Sequence, residues 1–135
     1  MQLNVSPDVA DALQTYLNSV GCTACARPLP YDLEASVPLT FVEAMSGGSR
    51  FDMVLERVPL RITTYAATDV EATHENQLAV AYLLALYGET IGECQITRVA
   101  KTNEGYEITD PSHPTLGRAI TIIHAWVRVK TIDTD

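Results

Sequence analysis

The stretch Arg118–Ile132, RAITIIHAWVRVKTI, alternates with a period of two along its length. Ala119, Ile123, Ala125, Val127 and Val129 fall on one side, and Ile120, Ile122, His124, Trp126, Arg128 and Lys130 on the other. A period of two belongs to a strand, whose successive side chains point to opposite faces. This is the longest strand the sequence predicts. Its first side has the apolar character of a core, so the sheet is built outward from here.

Upstream, Glu93–Lys101 (ECQITRVAK) and the shorter Tyr106–Thr109 (YEIT) are expected as strands joined by a turn at TNEG, where Asn103 and Gly105 supply turn chemistry. Leu39–Met45 (LTFVEAM) is a further strand, ending at Gly47-Gly48, which the pattern predicts as a hairpin turn or protruding loop. The chain returns through MVLERVPLRITTYAAT. Val58, Leu60, Ile62 and Thr64 face one way there, and Arg57, Arg61, Thr63 and Tyr65 the other. Pro59 cannot donate a ladder hydrogen bond, so this strand is bulged there or has an unpaired side.

Two helices complete the pattern. The first carries Val9, Leu13, Tyr16, Leu17 and Val20 at three- and four-residue steps, with Ser6 as its expected cap, Pro7 at its first position and Gly21 as its stop. The second opens at Thr68 with Glu71 in a capping-box spacing and stops at Gly88. Its first half is polar (Glu71, Thr73, His74, Glu75, Asn76), and its second half is apolar almost all round, which predicts deep burial there. Between helix one and the first strand lies a connector punctuated by Pro28, Pro30 and Pro38, which excludes a helix. The order α-β-β-α-β-β-β predicts an α+β two-layer sandwich, a four- to five-stranded antiparallel sheet with both helices on one face, as a single domain over residues 1–135.

Composition bounds the function. The 135 residues include 9 Lys and Arg against 17 Asp and Glu, a net charge of −8, which disfavours tight sequence-blind binding to nucleic acid or an anionic membrane. The longest apolar run, Leu78–Tyr87, is about half of the roughly 20 residues a membrane span needs. The first residues show neither a basic region nor an apolar signal core, so no export signal is expected. Three cysteines, an odd number, argue for reduced thiols rather than a disulfide framework.

The residues that could carry chemistry are sparse. Cys22 and Cys25 form a CxxC pair, but a structural zinc site needs four ligands, and Cys94, His74, His113 and His124 are scattered. A redox pair needs the N-terminus of a helix to lower its thiol pKa, and this one follows a helix C-terminus. No GxSxG elbow, HExxH motif or Gly-rich phosphate loop with its lysine occurs, so no enzyme, cofactor or metal is expected. The second side of the last strand is more informative. Ile120, Ile122 and Trp126 form either an interface stripe or a surface that the proline-rich connector covers. The helices carry acids and no Lys or Arg, whereas seven of the nine basic residues lie on or beside strands. Two such faces could dock head to tail, and a closing rotation would give a ring.

The Pro28–Leu33 connector (PLPYDL), the Pro38-Leu39-Thr40-Phe41-Val42 strand, the Gly47-Gly48 turn, the strand ending Tyr65-Ala66-Ala67-Thr68, Glu71-Ala72 in the next helix and the closing strands share one further property. Together they resemble the tail terminator proteins of long-tailed bacteriophages, particularly those infecting actinobacteria. The resemblance implies a structural virion protein at the tail–head junction. It implies a homo-oligomeric ring, a hexamer in that family, which caps the tail tube, stops its polymerisation and presents a surface to head-completion proteins. DNA passes through the lumen without sequence readout, and no membrane is involved. On that basis Gly47, Gly48, Ser49, Arg50 and Phe51 are the first candidates for subunit or tube contacts, with Ile120, Ile122, Trp126 and Arg128 beside them. The alternatives are a head-completion or neck adaptor protein, and a metal or redox protein using Cys22 and Cys25.

Overall fold

A computed structural model describes residues 1–25, 36–45, 48–51, 55–102, 106–107 and 115–134. The Pro28–Leu33 connector, Gly47 and the His113 loop lie outside the described residues. In chain order the elements are β1 (Gln2–Val5), α1 (Val9–Ser19), β2 (Ala24–Cys25), β3 (Leu39–Ala44), β4 (Ser49–Phe51) and β5 (Leu55–Ala66). Then follow α2 (Asp69–Leu84), β6 (Thr90–Ile91), β7 (Cys94–Lys101), β8 (Tyr106–Glu107), β9 (Gly117–Arg128) and β10 (Lys130–Asp133). The fold is α+β.

The centre of the sheet is the antiparallel pair β5–β9, in register from Leu55 opposite Arg128 to Ala66 opposite Gly117. The order is β2-β3-β5-β9-β7-β6, with β4 also on β5 and β8 also on β9. All pairings are antiparallel except the short parallel contact of β2 with β3, so the sheet is mixed at that edge. The expected last strand divides at Val129: β9 stays in the sheet, and β10 leaves it to pair with β1. Nothing local in QLNV marks β1 as a strand, because its partner lies at the other end of the sequence.

Neither β3 with β4 nor β7 with β8 forms a paired hairpin. β3 and β4 run along the same side of β5, Ala44 pairing with Leu60 and Ser49 with Arg57, so β4 continues along the partner of β3. The Pro59 carbonyl accepts the Met45 N–H at 2.9 Å, which shows that the amide side of Pro59 faces β3. The missing proline N–H is therefore on that side, where registered pairing with β5 stops after Ala44 and resumes at Ser49. Gly48 serves close approach rather than a turn, since a Cβ there would lie 2.6 Å from the Arg57 carbonyl oxygen. The same device recurs across the sheet. β7 and β8 both pair with β9, Lys101 with Ile123 and Tyr106 with Ile120, so the chain continues along β9 after Lys101. Thr102 anchors it by donating its N–H and its hydroxyl to the Ile122 carbonyl at 3.0 and 3.1 Å.

Both helices pack on the face made by Val42, Leu60, Ile62, Ile96, Ile123, Ala125 and Val127, against which α1 sets Val9, Leu13 and Leu17 and α2 sets Ala79, Val80 and Leu83. The α1 cap is Asp8 rather than Ser6: its carboxylate accepts the Asp11 N–H at 3.1 Å. Thr68 caps α2 as expected, accepting the Glu71 N–H at 3.2 Å. At its start α2 sits close to the sheet over Ala66, Ala72 and Ala119. Gly117 has no room for a side chain, because a Cβ would lie 2.3 Å from the Thr68 carbonyl.

One buried polar residue fixes the helix on the sheet. Asn76, 1 % exposed, donates its amide to the Ile62 carbonyl at 3.0 Å and to the Thr64 hydroxyl at 3.1 Å, and accepts from the Thr121 hydroxyl at 2.5 Å. Thr64 in turn shares a 3.0 Å hydrogen bond with Thr40, so the network crosses β3, β5 and β9. With Asn76 inward, only one side of the apolar second half of α2 is buried. Leu78, Ala81 and Ala85 are exposed, contrary to the all-round burial its composition predicts.

Replacing Asn76 with Leu strands the hydroxyls and carbonyl it satisfies, so Asn76→Leu should lower unfolding free energy by about 3 kcal/mol in urea titrations. Gly117→Ala should lower unfolding free energy by about 2 kcal/mol in the same titrations, by driving a methyl into the α2 backbone.

Candidate functional site

The face of the sheet away from the helices changes character along its length. At one end Leu39 and Tyr65 are buried and pack with Val37 and Leu116, and Phe41, Thr63 and Ile120 are buried beside them. The expected apolar stripe is therefore broken: Ile120 is only 6 % exposed, while Ile122 and Trp126 are half-buried.

Towards the other end the face becomes cationic. Register places Ile122 opposite Arg61, Trp126 opposite Arg57 and Arg128 opposite Leu55, while Arg118 lies at the apolar end, opposite Tyr65. From the far side β7 brings Arg98 beside Trp126. Five of the nine basic residues thus share one face. Arg61 is held by an ion pair with Glu43 on β3, and the Arg118 guanidinium lies 6.0 Å from the Tyr65 ring centre.

Trp126 is the organising side chain. The Arg98 guanidinium sits 4.8 Å from its ring centre, within cation–π range, and His124 meets it edge-on at 6.1 Å. Arg98 reaches the indole only because β7 carries an extra residue at Thr97, which shifts register between Ile96 and Arg98. Thr97 donates its hydroxyl to the Trp126 carbonyl at 3.0 Å and pins that irregularity. Burial, and then the positive charge of Arg57, push the His124 imidazole below its usual pKa.

The structure brings part of the two candidate sets together: Trp126 and Arg128 lie across β5 from β4, whereas Ile120 and Ile122 lie farther along β9, opposite Thr63 and Arg61. The β4 backbone, Ser49, Arg50 and Phe51, pairs with Arg57, Glu56 and Leu55, which in turn pair with Trp126, Val127 and Arg128. Gly48 stands beside Arg57. Gly47 lies outside the described residues. Sequence reasoning placed Arg57, Arg61, Arg98 and Arg118 on or beside strands, but the stacking of Arg98 on Trp126 depends on a bulge that carries no signal in ECQITRVAK.

The cysteines present a different environment. Cys22 is half-buried just after α1, and burial followed by the charge of Glu75 pushes its thiol up. Cys94 is buried 3.9 Å from the Asp8 carbonyl oxygen, and burial with Asp8, Glu93 and Asp11 pushes it up too. Both thiols are thereby held in the protonated form, the less reactive one. Cys25 contributes the edge backbone of β2, opposite Phe41. Among the described residues no three His, Cys, Asp or Glu side chains converge as a metal site, and no helix is long and apolar enough to cross a membrane.

No protein-family model matches the chain, and no curated protein matches it.

Trp126 is the chain's single tryptophan, so its fluorescence reports this face alone. Iodide should quench it more strongly than caesium, and the double change Arg57→Glu with Arg98→Glu should reverse that order in Stern–Volmer titrations. The His124 shift has a definite sign. As pH falls through the unfolded imidazole value of about 6.5, the unfolded chain takes up a proton that the folded site resists, so stability falls. His124→Gln should therefore flatten the loss of thermal stability between about pH 7.5 and 5.5.

Proposed function

We propose that this chain is a structural subunit of a virion, a tail terminator whose homo-oligomeric ring caps the tail tube and joins it to head-completion proteins. The observation that carries this reading is the segregation of charge across the two layers. One sheet face holds Arg57, Arg98 and Arg128 near Trp126, with Arg61 and Arg118 farther along it. The helical layer holds Asp11, Asp69, Glu71 and Glu75 and contains neither Lys nor Arg. Opposite charge on opposite layers favours head-to-tail stacking of identical subunits, and Arg and aromatic residues are the side chains enriched in protein interfaces.

An acidic chain also suits a lumen through which DNA slides without sticking, because few cations are available to hold phosphates. The Gly48–Phe51 segment, set beside the cationic end of the sheet, is where contacts to the tube or a neighbouring subunit belong in this reading.

The test is electron microscopy of particles made by a phage that encodes this chain after its gene is deleted. Overlong or uneven tubes beside separate DNA-filled heads support a terminator. Tails of normal length that fail to attach to heads place the protein on the head-completion side, and intact infectious particles refute the proposal. Trp126→Asp and Arg50→Glu are each expected to abolish capping while purified protein keeps its far-ultraviolet circular dichroism. Normal capping by either variant rejects this face as the contact surface.

A further inference from the structure

Among the described residues, two apolar surfaces on different elements are exposed. The first is the ribbon of β1 and β10, whose strands pair with each other and not with the larger sheet. Its register sets Leu3 opposite Ile132 and Val5 opposite Lys130 on one side, with Gln2, Asn4, Thr131 and Asp133 on the other. The ribbon is thus amphipathic, yet Leu3 is 41 % and Ile132 36 % exposed. Two strands alone are marginally stable in water, and an apolar side adds stability only when something covers it.

The second is the outer side of α2. Val70, His74, Gln77, Leu78, Ala81 and Ala85 are all exposed and none is an acid, a lysine or an arginine; Tyr87 follows just past the helix end. Val70 is 80 % and Tyr87 71 % exposed. A helix apolar on both sides is ordinarily enclosed on both. The small Ala81 and Ala85 leave a shallow lane beside Leu78 into which larger side chains can settle.

We infer that the apolar side of the β1–β10 ribbon of one copy lies against the exposed side of α2 in the next. The dimensions agree: four strand residues span about 13 Å, and the helix from Val70 to Ala85 offers about 22 Å. The charges agree as well. Arg128 lies at the base of the ribbon, in a cleft of about 310 Å³ where Lys130 is already ion-paired with Glu93 of the same copy. Glu71 and Glu75 flank the exposed side of α2, and Glu89 follows it. A chain of net charge −8 that associates with itself needs this kind of local complementarity to offset its overall repulsion. Each copy carries one ribbon and one helix side, so the contact is heterologous, propagating from copy to copy until rotation closes it. The inference deepens the proposed ring and rests on that reading only for closure; the contact itself belongs to the purified chain.

Sedimentation analysis over a concentration series tests it with three proteins: the wild-type chain, Leu3→Glu with Ile132→Glu, and Leu78→Glu with Ala81→Glu. The wild type should pass twice the monomer mass, and each double variant should stay at one. An equimolar mixture of the two variants should form a one-to-one dimer and grow no further, because only one intact ribbon and one intact helix can meet. A monomeric wild type, either variant assembling like wild type, or a mixture that stays monomeric overturns the contact. Circular dichroism and the urea midpoint verify that the helix variant, altered only at exposed positions, remains folded. These masses are read without any tail component, so they fail separately from the deletion phenotype.

Discussion

The Asn76 amide is the fixed point of the molecule. A buried polar side chain must satisfy its hydrogen bonds, and only one rotation of α2 sets this amide among the Ile62 carbonyl and the Thr64 and Thr121 hydroxyls. Once that rotation is set, Ala72, Ala79, Val80 and Leu83 are committed to the sheet, and Leu78, Ala81 and Ala85 are committed to the outside. Hydrophobicity alone would not choose between these sides, because the second half of the helix is apolar around most of its circumference. The polar network makes the choice and leaves an uncharged side facing outward.

A second constraint is the absent N–H of Pro59. It interrupts the ladder on the β3 side of β5, where pairing stops after Ala44 and resumes at Ser49 with Gly48 pressed against the Arg57 carbonyl. The bulge at Thr97 does comparable work across β9, bringing Arg98 onto Trp126. Irregularities in flanking strands, placed on either side of the regular β5–β9 pair, thus shape the cationic end of the sheet. The acidic helices and the cationic sheet face make the subunit electrically polar. That polarity supports the proposed head-to-tail assembly more directly than any single residue does.

Several features were legible because they depend on neighbours in sequence. The inward set Ala119, Ile123, Ala125 and Val127 follows from strand alternation, and Val9, Leu13 and Leu17 follow from helical spacing. The Thr68 cap follows from an oxygen-bearing side chain placed before a helix. The Gly47-Gly48 pair and the TNEG segment, by contrast, suggested turns between strands that instead share one partner strand. Their backbone freedom serves either purpose, and only the partner strand decides which. Asn76 looked like one of several polar residues in the first half of α2, since nothing local distinguishes it from His74 or Glu75.

The sequence by itself determined the two helices, the longer strands β3, β5, β7 and β9, the α+β class, the inward faces of β5 and β9 and the separation of acidic helices from basic strands. All of these are written in periodicity and composition over a few residues. Tertiary structure alone decided that β1 finds β10, that β3 and β4 share one partner, that Arg98 meets Trp126 and that one apolar side of α2 stays outside. Each of those depends on hydrogen bonds between residues far apart in the chain, whose geometry is set only when the β5–β9 pair and the Asn76 network have formed.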